Sequence, residues 1–208
     1  MRMNPIRTLS LFSGAGGLDL GFHQAGFQII EAVEIDQKLS DIMRANIGEG
    51  KPLGNHTRVR TMDIRDFETD KLGKIDWIIG GPPCQTFSAA GRRANGVPGV
   101  DDPRGLLFEE YAEIVRKLQP RGFLYENVYG LVGAQEGEPW RMIKEEFSKL
   151  GYTLFHRVLD SADYGAPQHR ERLIMVGLKQ GEFQFPLPLY GPDSISKTPH
   201  LSAKKAIS

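Results

Sequence analysis

Short apolar runs recur along this chain, separated by longer amphipathic stretches, and this alternation restricts its fold more than any other feature. Strand-like runs fall at 7–12, 28–34, 58–61, 76–80, 122–126, 153–159 and 173–177. Helix-like stretches fall at 17–25, 37–47, 106–118 and 139–150. In the third of these, Leu106, Leu107, Tyr111, Ile114, Val115 and Leu118 return at roughly helical spacing, as one face of a 3.6-residue repeat requires. Strands alternating with helices in this way predict an α/β fold: a doubly wound, mostly parallel sheet of seven strands with helices on both faces. The 208 residues suffice for one such domain with a sizeable core.

Composition narrows the function. The 26 basic and 26 acidic side chains cancel, so a polyanionic partner has to be held by a local basic surface and not by global attraction. The single cysteine excludes an internal disulfide and a zinc cluster built on cysteines, and no metal site is expected. No apolar run approaches the ~18 residues that span a bilayer, so no membrane association is expected. Met1-Arg2-Met3-Asn4-Pro5 leads straight into the first strand-like run without an apolar signal segment, and a reducing, cytoplasmic setting is expected.

Two segments break the alternation. Residues 86–104 are rich in Gly, Ala and Arg with little periodicity, and read as a long loop of the kind that is usually functional. The tail from Phe185 carries Pro186, Pro188, Gly191, Pro192 and Pro199 and reads as irregular. Residues 1–184 are therefore expected to form the domain and 185–208 an appended tail.

Four clusters carry chemistry. In Leu11-Phe12-Ser13-Gly14-Ala15-Gly16-Gly17-Leu18-Asp19, a strand ends, a glycine turn follows and a helix begins, so a ligand can approach the backbone at a helix N-terminus. The cluster is not the GxGxxG of dinucleotide folds. Glu34 closes the second strand and can accept from both hydroxyls of a ribose, while Asp63, after the third strand, can take an adenine amino group. Together they suit an adenosine-containing ligand without phosphate; the plainer alternative is a tight strand–helix turn with two solvent-facing acids. Gly80-Gly81-Pro82-Pro83-Cys84-Gln85-Thr86-Phe87-Ser88 holds the only cysteine at the carboxyl edge of the sheet, where open sheets place their ligands, behind two prolines that fix the backbone. Tyr125-Glu126-Asn127-Val128 offers either a helix-capping acid and amide or, beside the neighbouring strand's cysteine, a carboxyl that would pair with it as acid with nucleophile. In Asp163-Tyr164-Gly165-Ala166-Pro167-Gln168-His169-Arg170-Glu171-Arg172, Arg170 and Arg172 are expected on one face of a strand, aimed at a substrate carbonyl or a phosphate.

In this order the clusters closely resemble the cytosine-C5 DNA methyltransferase family. The resemblance rests on the Phe-Ser-Gly-Ala-Gly-Gly turn, Glu34, Asp63-Ile64, Gly81-Pro-Pro-Cys-Gln85, Asp102-Pro-Arg-Gly105 before Leu107-Phe108, Glu126-Asn-Val128 and Gln168-His-Arg-Glu-Arg172. It covers the chain to about Gly177, and these weak motifs in sequence make a specific match. It implies a Rossmann-like fold, S-adenosylmethionine as methyl donor, and a cytosine flipped out of duplex DNA as acceptor, since carbon 5 cannot be reached inside the stack. By this resemblance Phe12, Gly14, Ala15, Gly16 and Gly17 line the methionine part of the cofactor and Glu34 holds the ribose. Ile35 packs on adenine, Asp63 and Ile64 meet its edge, and Pro83 and Leu107 complete the pocket.

The same resemblance makes Cys84 the nucleophile. Carbon 5 of cytosine is a poor nucleophile until a thiolate adds at carbon 6 and breaks the aromaticity. A free thiol has a pKa of about 8.5, so its thiolate needs support from its surroundings. Glu126 grips N3 and the exocyclic amine. Arg172, with Arg170, bonds the base carbonyl and steadies Cys84. The 86–104 loop becomes a lid whose Arg92 and Arg93 meet phosphates as it closes. The family normally continues into a target-recognition region and further C-terminal motifs, none of which is visible here. The chain is thus expected to hold the chemistry without the means of addressing it, and to need a second polypeptide or a missing segment. The alternatives are an RNA cytosine methyltransferase of the same architecture and a non-catalytic remnant that only binds the cofactor.

Overall fold

The computed structural model describes residues 4–83 and 107–207. Cys84, the 86–104 loop with Arg92 and Arg93, and the Asp102–Gly105 motif lie outside the described residues. The strands are β1 (Ile6–Leu11), β2 (Phe27–Glu34), β3 (Arg58–Thr61), β4 (Trp77–Gly80), β5 (Gly122–Val128), β6 (Thr153–Asp160) and β7 (Glu171–Leu178). The helices are α1 (Gly17–Gln24), α2 (Gln37–Ala45), α3 (Leu107–Leu118), α4 (Glu138–Lys149) and α5 (Ala203–Ile207). The sheet order is β3-β2-β1-β4-β5-β7-β6. β1 pairs in parallel with both β2 and β4, so the winding reverses beside β1, the place where open α/β sheets open a crevice.

One strand departs from the parallel pattern. β7 inserts antiparallel between β5 and β6. The cause is the connection: residues 161–170 hold a short 3-10 turn, and a parallel return needs a crossover of a dozen or more residues, usually with a helix. The tail also differs in part from expectation. It is irregular through residue 202, but ends in the short helix α5. It also folds back on the turn before β7: the Leu189 and Tyr190 amides donate to the Asp163 carbonyl at 2.8 and 3.0 Å, and the Tyr164 hydroxyl donates to the Pro186 carbonyl at 3.0 Å.

The main core lies between the sheet and α3 and α4. α3 buries Phe108, Tyr111, Ala112, Ile114 and Val115, a stripe at helical spacing, with Glu109 and Glu110 in its first turn and Arg116 and Lys117 in its last, where each sign favours the helix dipole. α4 buries Trp140, Ile143 and Phe147 behind Pro139 in its first turn. Tyr111 bridges two strands, its hydroxyl donating to the Leu124 carbonyl at 2.9 Å. Leu9, Leu11, Ile78, Phe123 and Phe147 are wholly shielded, each contributing on the order of 1.5–3 kcal/mol of burial. This packing fixes the carboxyl ends of β1, β2, β4 and β5 against one another, and Phe12, Glu34, Gly81 and Glu126 sit there.

Candidate active site

The glycine turn after β1 is shaped by backbone geometry. Phe12 has φ +54°, Gly14 +57° and Gly16 +86°. Gly16 suits its left-handed φ, and a Cβ there would also crowd Leu53 Cδ1 at 3.1 Å and Met43 Cγ at 3.3 Å. For the phenylalanine the left-handed conformation costs roughly 1–3 kcal/mol, a strain that tends to gather at functional sites. At Gly14 and Gly17 an added Cβ would meet open space, so the turn presents bare backbone outward.

Glu34 ties this turn to the next helix. Its Oε2 accepts from the Gly14 amide at 2.8 Å and its Oε1 from the Asp36 amide at 2.9 Å, and the residue is 9% exposed. Asp36 in turn caps α2, accepting from the Lys38 and Leu39 amides. Each Glu34 oxygen keeps a lone pair, so both can still accept from neighbouring hydroxyls. Between the two acids stands Ile35, 66% exposed, an apolar side chain held out of the core at a cavity rim.

That cavity, of about 480 Å³, is lined by Phe12, Val33, Glu34, Ile35, Leu39, Met62, Asp63, Ile64, Arg65, Gly81, Pro83 and Leu107. Its size and apolar walls with a few polar groups match small-ligand sites in general. Phe12, Glu34, Ile35, Asp63, Ile64, Pro83 and Leu107 are thus brought together as the sequence suggests. The turn residues Gly14, Ala15, Gly16 and Gly17 are not among the lining residues and border the cavity through the Gly14–Glu34 hydrogen bond. Asp63 lies two residues beyond β3, where its side chain caps a 3-10 turn by accepting from the Arg65 amide. Arg65 also clamps it through Nε at 2.9 Å and Nη2 at 2.5 Å. These bonds hold the Asp63 carboxyl down to about 2, so it stays an acceptor across the physiological range. Val33, Leu39, Met62 and Arg65 escape sequence reasoning, and Gly81, part of the motif before Cys84, is given no place in the cavity by it. Arg65, two residues after an acid in a capping position, is the one that local pattern could have flagged.

The second half of the site stands on β5 and β7. Arg172 Nε lies 2.8 Å from Glu126 Oε1, because β7 sets Arg172 opposite Val128 and Ile174 opposite Glu126. Burial pushes the Glu126 carboxyl above its ordinary value, and the Arg172 and Arg170 guanidiniums hold back part of that rise. The two arginines do not share a strand face as expected: β7 begins at Glu171, and Arg170 sits exposed in the preceding turn, where its amide donates to Asp160 Oδ1 at 2.8 Å. Asn127 is buried and donates to the Pro82 carbonyl at 3.1 Å, so β5 fixes the chain two residues before Cys84. Gly81 joins the two halves. It lines the cavity, and a Cβ on it would stand 2.5 Å from Glu126 Oε2. Among the described residues no cluster of three or more His, Cys, Asp or Glu side chains could hold a metal ion.

A doubly wound sheet with a nucleoside-sized, apolar cavity beside its winding reversal and a carboxylate at the end of β2 defines the Rossmann-like class that binds an adenosine moiety. Comparison with known proteins narrows the class. The family model for C-5 cytosine-specific DNA methylases matches residues 6–207, and the chain belongs to that family. It is 42% identical over 188 residues to the Type II methyltransferase M.FnuDI of Fusobacterium nucleatum, covering 88% of this chain and 51% of that one. It is 39% identical over 209 residues to the Type II methyltransferase M.AquIA of Picosynechococcus, covering 96% of this chain and 83% of that one. In structure it resembles a prophage-encoded E. coli protein described as a DNA modification methyltransferase, with a TM-score of 0.68 at 31% identity, covering 84% of this chain and 47% of that one. The chain spans about half the length of M.FnuDI and of the prophage protein, and most of M.AquIA.

Proposed function

We propose that this chain is the catalytic portion of a DNA cytosine-C5 methyltransferase of a Type II restriction–modification system, acting in the cytoplasm. It transfers a methyl group from S-adenosylmethionine to carbon 5 of a flipped-out cytosine in duplex DNA. One observation carries the reading: the adenosine-sized cavity and the Glu126–Arg172 pair meet at Gly81, which walls the first and touches the second, three residues before the only cysteine.

The cavity fits the cofactor. Its apolar walls suit the adenine, the exposed Ile35 gives one ring face a partner, the free lone pairs of Glu34 suit the ribose hydroxyls, and the ionised Asp63 suits the adenine amine. The bare turn at Gly14 and Gly17 leaves room for the methionine part. S-adenosylmethionine supplies an electrophilic methyl group there.

The protein's part is to make carbon 5 nucleophilic. The Cys84 thiolate adds to carbon 6, and the charge that develops on the ring is met at N3 by Glu126. A carboxyl that donates must be protonated, and the burial that already raises Glu126 grows when a base fills the pocket. Arg172, and Arg170 beside it, hold the base carbonyl. Carbon 5 then takes the methyl group, which leaves S-adenosylhomocysteine; the carbon 5 proton goes to solvent, the N3 proton returns to Glu126, and the C6–sulfur bond breaks to restore the aromatic ring and free Cys84 as the thiolate. Residues 1–184 carry this chemistry. The longer relatives extend beyond the span matched here, and the part that recognises the target reaches this chain as a further segment or as a second polypeptide.

Transfer of tritiated methyl from S-adenosylmethionine to duplex DNA and to transfer RNA, with the complementary half added, tests the reading. Incorporation into duplex DNA is expected. Incorporation into RNA alone would replace the DNA substrate, and binding of the cofactor without any transfer would leave the remnant alternative.

A further inference from the structure

The segment that delivers Arg172 is held at its start by a carboxylate outside the reacting groups. Asp160 is the last residue of β6 and pairs with Glu171, the first residue of β7; the next rung sets Leu159 opposite Arg172. Its Oδ1 accepts from the Arg170 amide at 2.8 Å and from the Ala162 amide at 3.1 Å. Its Oδ2 lies 2.6 Å from His169 Nδ1. One side chain thereby closes the 161–170 turn from both ends. Without it the ends of the turn are left with the Ser161 amide on the Arg170 carbonyl at 3.2 Å and the Ser161 hydroxyl on the Gln168 carbonyl at 2.9 Å, and Arg172 stands one rung in. Burial disfavours the ionised form of Asp160, yet the bonds from His169, Arg170 and Ala162 outweigh it and hold the carboxyl below its usual range.

We infer that Asp160 is a positioning residue for the catalytic pair, setting the start of β7 so that Arg172 reaches Glu126. The inference rests on the methyltransferase reading for its consequence in turnover, but its structural content does not. Arg172 on β7, and Arg170 in the turn that Asp160 holds, both act on Glu126 by lowering its proton affinity. A β7 start that drifts therefore reads out as a Glu126 carboxyl that titrates higher, a signal that a loss of fold stability alone does not produce.

The experiment is a carbon-detected NMR titration of Glu126 in the chain as it stands, comparing the wild type with Asp160→Ala, Asp160→Ser and Asp160→Asn. Serine keeps a cap for the Ala162 amide but is too short to serve the Arg170 amide and His169 as well. The Glu126 midpoint is expected to move upward in Asp160→Ala and Asp160→Ser, and to return toward the wild-type value in Asp160→Asn, whose amide oxygen still accepts at Oδ1. If Asp160→Ala does not fold, Asp160→Ser decides. An unmoved Glu126 midpoint in a folded Ala or Ser variant would overturn the inference and reduce Asp160 to a turn cap. In the complemented enzyme the Ser variant is expected to lose roughly 10- to 100-fold in kcat, with the KM for S-adenosylmethionine within twofold of wild type. A shifted midpoint in an enzyme that methylates nothing would uphold the positioning role and sink the methyltransferase reading.

Discussion

Glu34→Ala separates the two duties of the carboxylate at the end of β2. In the free protein its oxygens hold the Gly14 and Asp36 amides; in the complex the remaining lone pairs are assigned to two ribose hydroxyls. Hydrogen bonds to a charged acceptor are worth about 1.5–3 kcal/mol each, and leaving a half-buried amide unpaired costs about 1–2 kcal/mol. Losing both ribose bonds, with water partly compensating, weakens binding by about 2–4 kcal/mol, or roughly 30- to 700-fold in Kd. Releasing both amides costs about 2–4 kcal/mol and lowers Tm by roughly 4–16 °C in a domain of this size. Isothermal titration with S-adenosylhomocysteine and its 2′-deoxy analogue tells pocket from scaffold. The wild type should prefer the ribose compound, and Glu34→Ala should bind the two alike. An alanine variant that keeps the wild-type preference, or binds within twofold of wild type, would refute the assignment of Glu34 to the sugar.

Other perturbations test separate joints of the site. Gly81→Ala puts a Cβ 2.5 Å from Glu126 Oε2 and should abolish methylation by the complemented enzyme while S-adenosylhomocysteine still binds; normal turnover would show that Glu126 and the cavity are not joined there. Asn127→Ala releases the Pro82 carbonyl and should cut kcat by more than tenfold with cofactor affinity little changed, measured by steady-state methyl transfer. Asp19 is wholly buried, and burial pushes its carboxyl up to about 6. The fold therefore favours the protonated form, and stability falls as pH rises from the unfolded value near 4 toward 6. Asp19→Asn should accordingly be stabilising by up to about 3 kcal/mol at pH 8 and near neutral at pH 4, checked by urea melts at both pH values; equal melts at pH 8 would contradict it.

Where an element or a contact is local, the sequence announced it. β3 falls where 58–61 reads as a strand, and Glu34 closes β2 as its position suggests, because an apolar run and the residue that ends it are neighbours. The cavity-lining residues come together for the same reason: Phe12, Glu34 and Ile35 each end or follow a strand at the same sheet edge. What could not be read depends on how strands pair and on which side chains meet across turns and between strands. β7 looks like any other apolar run, and its antiparallel course is set by the short 161–170 link. Arg170 and Arg172 alternate in sequence, yet only Arg172 is on the strand, because Asp160 captures the Arg170 amide first. The tie from Asn127 to Pro82 spans 45 residues, and Gly81 is needed for the approach of Glu126, which no single-residue propensity encodes.

The decisive measurement is covalent capture on a substrate that cannot complete the reaction. A duplex carrying 5-fluorocytosine at the target is incubated with S-adenosylmethionine, this chain and its complementary half, and the products are digested for mass spectrometry. Methyl transfer places carbon–fluorine where a proton should leave, so the base should remain bonded to a peptide through the sulfur of Cys84, and Cys84→Ser should yield no adduct. An active enzyme that leaves no adduct, or one attached at another residue, would contradict nucleophilic attack by Cys84.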